Sequence, residues 1–159
     1  MELTPATVAA ERDRLRENDR IVPLINDTRD LLGDLFDTEV GRVSESAYRA
    51  EVDAVFADGD VAVNVAALCG LLRTLDVADD YPGFVVDEVL GRELAATVAG
   101  GRPRSLLAEA TFHVADVHTH YDDEAAGRDD LDAALAAGFQ TRLPGWTWTE
   151  SASPFSVEK

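Results

Sequence analysis

Apolar residues recur three and four positions apart in six or seven successive stretches of this chain, and sustained alternation with period two appears only at its extreme C-terminus. Thr4-Pro5 predicts the first helix start, because a capping hydroxyl precedes a ring whose fixed φ suits the first helical position; this helix runs to about Asn18. Pro23 breaks or restarts the pattern. Leu24, Ile25, Leu31, Leu32, Leu35 and Phe36 then define an inward stripe, with Asp27, Asp30 and Asp34 turned to water. A third helix opens at Ser44, with Val43 and Tyr48 spaced as a hydrophobic staple and Tyr48, Val52, Val55 and Phe56 inside.

Asp58-Gly59-Asp60 ends that helix and caps a fourth, Val61 to about Leu75. Val61, Val65, Leu68, Cys69, Leu72 and Leu75 share one of its faces, and the small residues Ala62, Ala66 and Gly70 line the other. Close approach on both sides makes this the expected central helix. Asp79-Asp80-Tyr81-Pro82-Gly83 starts a fifth helix with Val86, Leu90, Leu94 and Val98 as its buried stripe, stopped by Gly100-Gly101. A sixth spans about Ser105 to Asp123, and a short seventh, about Asp130 to Ala137, closes at Gly138 with Phe139 beside the cap. The expected fold is therefore all-α: a compact single-domain bundle of six or seven helices over residues 1–142, with an extended aromatic tail, 143–159, packing on it.

Composition adds an environment to this fold. Thirty-one acids face fourteen cations, a net charge of -17, and Lys159 is the only lysine, so the other thirteen cations are arginines. Self-repulsion would strain such a fold at low ionic strength, whereas molar salt shortens the Debye length to about 3 Å. In composition the chain resembles the acidic proteins of salt-in halophiles such as haloarchaea. With 46% hydrophobic residues it is expected to fold rather than remain disordered. One cysteine, Cys69, on the apolar stripe of helix four, allows no internal disulfide and fits a reducing cytoplasm. No h-region follows Met1, and the longest apolar run, Val61 to Leu72, is shorter than the roughly 20 residues a membrane helix needs. A cytoplasmic protein with no membrane partner is the expectation.

Helix six carries the candidate chemistry. All three histidines lie on it, and Glu109, His113, Asp116 and His120 follow one another at four-, three- and four-residue steps, which places them along one edge of the helix. That edge runs beside an apolar face read as Leu106, Ala110, Val114, Val117 and Tyr121. Neighbouring members can reach one ion, but a rise of about 1.5 Å per residue keeps the two ends from sharing it, so further ligands must come from another helix. Any divalent metal would take oxygen and imidazole donors. The paired Glu-x-x-His of di-iron bundles and the His-Glu-x-x-His of zinc proteases are both absent. The bland reading of the stripe is a boundary strip of His, Asp and Glu pairs.

Two other segments carry candidate roles. Gly100-Gly101-Arg102-Pro103-Arg104-Ser105 puts two guanidinium groups and a hydroxyl at a helix start, so Arg102, Arg104 and Ser105 form a candidate anion site. In Leu143-Pro144-Gly145-Trp146-Thr147-Trp148-Thr149, Trp146 and Trp148 share one face of an extended strand. They either close the bundle's core or serve as a lid or partner-docking strip.

The absence of lysine before position 159 excludes Schiff-base chemistry and lysine-dependent nucleotide binding, and no Gly-x-Ser-x-Gly or Gly-x-Gly-x-x-Gly appears. Three readings remain. The first is a non-catalytic interaction or regulatory module with a protein partner or self-association. The second is a metal- or acid/base-dependent enzyme using the helix-six stripe. The third is a helix-turn-helix nucleic-acid binder built on helices three and four, disfavoured because Arg73 is the only cation on its recognition helix.

Overall fold

The computed structural model describes residues 1–75, 85–117 and 126–146. Seven α-helices and one π-helical turn are present among them: α1 (Pro5–Glu17), α2 (Ile21–Phe36), α3 (Glu45–Ala57), α4 (Gly59–Thr74), the π-helical turn Val86–Gly91 running directly into α5 (Arg92–Ala99), α6 (Arg104–Asp116) and α7 (Ala126–Gln140). The all-α bundle read from the periodicity is the fold observed. Among the described residues no single helix is long and apolar enough to cross a membrane.

The N-terminal half follows its capping signals closely. The Thr4 hydroxyl accepts from the Thr7 amide while the Thr7 hydroxyl accepts from the Thr4 amide, a reciprocal capping box that starts α1. Ser44 caps α3 through the Ala47 amide, and Asp58 both ends α3 and caps α4 through the Val61 amide. Because one residue serves as both caps, the two helices turn through 110° without a linker. Pro23 sits in the first turn of α2, where its missing N–H is not needed, so it starts the helix rather than breaking it.

The centre of the bundle is α7, not α4. Ala133, Ala134, Ala136, Ala137 and Phe139 are fully buried and Leu135 nearly so. Alanine on every side lets α2, α4, α5 and α6 all approach it, and a helix without a polar face belongs in the interior. Gly138, expected as a cap, lies inside this helix. A Cβ there would sit 2.8 Å from the Ala95 carbonyl oxygen and 2.8 Å from the Val98 Cβ, so the glycine marks the closest approach of α5. The expected seventh helix was therefore too short at both ends: a glycine needed for packing resembles a glycine needed for a stop.

Three faces differ from the apolar pattern. On α2, Leu35 and Phe36 are 65% and 63% exposed, and the core side instead carries Arg29 and Gly33. The helix ends there because Asp37 takes a left-handed conformation, φ 49°, while the Thr38 amide donates to the Gly33 carbonyl. In the π-helical turn the wider winding brings Val86 and Gly91 inward, five residues apart, and leaves Leu90 only partly buried. On α6 the buried face is Ala108, Thr111, Phe112 and Ala115, whereas Leu106 and Val117 are exposed. Phe112 needs Gly91 opposite it, since a Cβ at that position would lie 2.5 Å from the ring.

The described part of the aromatic tail belongs to the core. Leu143 and Trp146 are 3% and 6% exposed, and Trp146 packs with Leu32 and Val40 while its indole N–H donates to the Gln140 carbonyl at 3.1 Å. Arg29 fastens this segment. Fully buried, it donates to the carbonyls of Gly41 and Pro144 (both 2.6 Å), Gln140 (2.7 Å) and Leu143 (2.9 Å). Burial lowers its pKa to about 10, so the guanidinium stays charged at neutral pH and holds the end of α7 against α2 through backbone oxygens.

Candidate metal centre

Three aspartates from three helical segments converge at one place. Asp87 lies on the π-helical turn, Asp116 is the last residue of α6 and Asp130 stands in the second turn of α7; one carboxylate oxygen from each lies within 4.8 Å of the others. The local winding explains the meeting. The π-helical turn puts Val86 and Gly91 against the core, Phe112 packs on Gly91 and so seats α6 there, and four residues further along α6 Asp116 reaches the same level as Asp87. Asp130 follows because α7 is buried throughout from Asp129 to Gln140, and its side chain is only 4% exposed.

Three ionised carboxylates cannot rest there unaided. At separations of no more than 4.8 Å each pair would repel by about 3.5 kcal/mol or more at an effective dielectric of about 20, before any cost of burial. Burial is the largest influence on Asp130, and hydrogen bonding and charge from Asp87, with charge and hydrogen bonding from Asp116, act in the same direction, raising its pKa to about 9. This direction favours the neutral form of Asp130 beside its two neighbours.

The same set of oxygens suits a cation. Mg²⁺ binds oxygen at about 2.0–2.1 Å and Ca²⁺ at about 2.3–2.6 Å, so ligands on one ion lie up to about 4–5 Å apart. A spread of 4.8 Å falls inside that span. All-oxygen donors select a hard divalent ion such as Mg²⁺, Mn²⁺ or Ca²⁺. Asp87 and Asp116 are half-buried, leaving room for water to complete the coordination.

Among the described residues of the four-residue stripe, Asp116 alone belongs to this centre. Glu109 and His113 join a separate surface network: His113 Nε2 lies 3.1 Å from Glu88 Oε1, Arg92 Nη1 lies 2.9 Å from Glu88 Oε2, and Arg92 Nη2 lies 3.7 Å from Glu109. This is the boundary strip of His and acid pairs, and it follows from the i, i+4 spacing of Glu88 and Arg92 beside α6. His120 lies outside the described residues. Asp87 and Asp130 were not among the sequence candidates. The one signal available was the run Asp129-Asp130-Leu131-Asp132 at the head of an alanine-rich segment, since acids inside a helix with no polar face require partners.

The other candidates are less concentrated. Arg102 is exposed, Arg104 and Ser105 are half-buried, and Arg104 is the first residue of α6. His113 lies nine residues on, about 13 Å along the axis and half a turn round, so it does not join that site. Trp148 lies outside the described residues, and Trp146 is enclosed by Leu32 and Val40. Cys69 is fully buried, and burial, followed by the charge of Glu11, pushes its thiol well above the usual range. Arg73, the cation of the helix-turn-helix reading, is held by both oxygens of Glu11, at 2.9 and 2.6 Å.

No curated protein and no solved structure matches the chain. A family model does, over its whole length: residues 1–159 match the domain of unknown function DUF7984, and the chain belongs to that family.

Proposed function

We propose that this protein is a helical module that binds one hard divalent cation between Asp87, Asp116 and Asp130, and that the ion sets how α6, α7 and the π-helical turn pack. The convergence of three carboxylates within 4.8 Å, one of them buried with its pKa raised by burial and by the other two, carries the reading. An ion of charge two leaves one negative charge among the three carboxylates where one proton leaves two, so it ties together segments that otherwise repel. The consequence is conformational first, which suits an interaction or regulatory module acting through a protein partner or self-association. Leu35 and Phe36, adjacent and more than 60% exposed at the end of α2, supply an apolar surface for such a partner. The acidic composition suits this role in a cell interior at molar salt.

A second reading gives the ion catalytic work. Half-buried Asp87 and Asp116 leave one side of it open to a substrate oxygen, which a divalent ion can polarise. Both readings need the same first result. Calorimetric titration of chelator-stripped protein in molar KCl with Mn²⁺ should give one saturable equivalent. Asp130→Asn should abolish it, and His113→Ala should leave it unchanged, because His113 faces Glu88 instead. Equal binding by wild type and Asp130→Asn would sink the proposal.

A further inference from the structure

α6 carries two apolar faces, and the core uses one of them. Ala108, Thr111, Phe112 and Ala115 are buried in the bundle. The second face is centred on Ala110. At about 100° per residue, Leu106, Leu107, His113, Val114 and Val117 all lie within about 60° of it. Leu106, Ala110 and Val117 are exposed there, and Leu107 and Val114 are only partly covered, by the cluster of Leu32, Val40 and Trp146. One turn beyond Leu32, Leu35 and Phe36 are exposed as well, so the apolar surface continues from α6 onto the end of α2.

Charge decides what suits this surface. Thirty-one of the 159 residues are acids, yet none falls within that sector of α6, because Glu109 and Asp116 lie about 100° and 120° round from Ala110. A basic partner would find its match instead in the cavity beside α2, which Asp30, Asp34, Asp37 and Glu39 line. A chain of net charge -17 repels its own copies over most of its surface, and an acid-free apolar face is where two of them can meet.

The face is also complementary to itself. A two-fold axis through Ala110 sets two α6 helices antiparallel, so each residue faces the one equally far on the other side of Ala110 in the second copy. Leu107 stands three residues before the axis and Val114 four after it, on the same flank, so they meet within about 1.5 Å along the helix direction. On the other flank Leu106 meets the second copy's His113 in the same register. The single methyl group of Ala110 at the axis lets the two backbones approach to packing distance. Glu109 borders the His113 flank, about 3 Å along the axis from the second copy's His113, so a carboxylate of one copy lies beside an imidazole of the other.

We infer that the protein forms a two-fold dimer through this face, α6 against α6, with Leu35 and Phe36 at its margin. The inference rests on the interaction-module reading and names its partner, a second copy. No residue of the face belongs to the carboxylate centre, so the dimer is measured in chelator, apart from the Mn²⁺ titration, and failure of one claim is distinguishable from failure of the other.

Sedimentation equilibrium of the full-length protein in molar KCl with chelator should give twice the chain mass at micromolar concentration. Ala110→Glu sets two carboxylates at the axis and should weaken dimerisation by about a hundredfold or more, and Leu106→Glu by about tenfold or more. Both positions are exposed on a helix, and unchanged circular dichroism verifies the fold. Val63→Glu, on the exposed side of α4, should leave the dimer intact. A wild type that stays monomeric at millimolar concentration would give the face to a different protein and overturn the inference. A dimer kept in Ala110→Glu and lost in Val63→Glu would move the interface to α4 and overturn it as well.

Discussion

Replacing Asp130 by asparagine tests the carboxylate centre through stability alone. In the metal-free protein the folded state keeps the Asp130 proton up to about pH 9, whereas an unfolded aspartate releases its own near 3.8. Between those values the folded state binds the additional proton. The unfolding free energy therefore falls as pH rises, by up to about 1.4 kcal/mol per unit, with this contribution fully present below pH 4 and lost through pH 9. From pH 6 to 8 the wild-type Tm should therefore fall, by on the order of several °C for a chain of this size. Asparagine keeps the shape and the neutral state but cannot ionise, so Asp130→Asn should show a flatter Tm–pH profile and exceed wild type at pH 8. Thermal melts followed at 222 nm in molar KCl with chelator measure both. Mn²⁺ at one hundred times its Kd should then restore about 2.7 kcal/mol to wild type, more effectively at pH 8 than at pH 6 because it must displace the proton, and nothing to the variant. Parallel profiles for the two proteins would refute the reasoning.

Three further outcomes follow from the packing. Gly138→Ala should cost about 1–3 kcal/mol in urea denaturation, because its Cβ would meet the Ala95 carbonyl and Val98 at 2.8 Å. Arg29→Met should cost about 3 kcal/mol or more, since it leaves four carbonyls at the end of α7 and its neighbouring loops without their donor, and near-ultraviolet circular dichroism should report the loosened Trp146. Cys69 should resist a thiol reagent in the native state and react only as fast as the protein unfolds, being fully buried and held as the thiol.

Local chemistry was the legible part of this fold. Thr4, Ser44 and Asp58 mark helix starts because a capping side chain bonds an amide two or three residues away, a contact that sequence spacing displays directly. The centrality of α7 was not legible, because Ala133, Ala134, Ala136 and Ala137 carry little hydrophobic signal and Gly138 imitates a stop. What places them inside is the close approach of four other helices, a tertiary fact. The candidate site divides in the same way. Asp116 was recognisable as an inward-edge acid on α6, but its partners are fourteen and twenty-nine residues distant on other segments, and Asp87 comes within reach through a π-helical turn that no apolar period announces. Large side chains also misled on α6, where Leu106 and Val117 face water while Ala108 and Ala115 are buried, because small residues let neighbouring helices close up.

The most direct measurement is a crystal structure of the protein grown with Mn²⁺, with anomalous data collected above the manganese edge. The account predicts one strong anomalous peak bridging Asp87, Asp116 and Asp130, at about 2.1–2.3 Å from each. An occupied site elsewhere, on His113 and Glu109 for instance, or three carboxylates with no peak between them at saturating Mn²⁺, would contradict it.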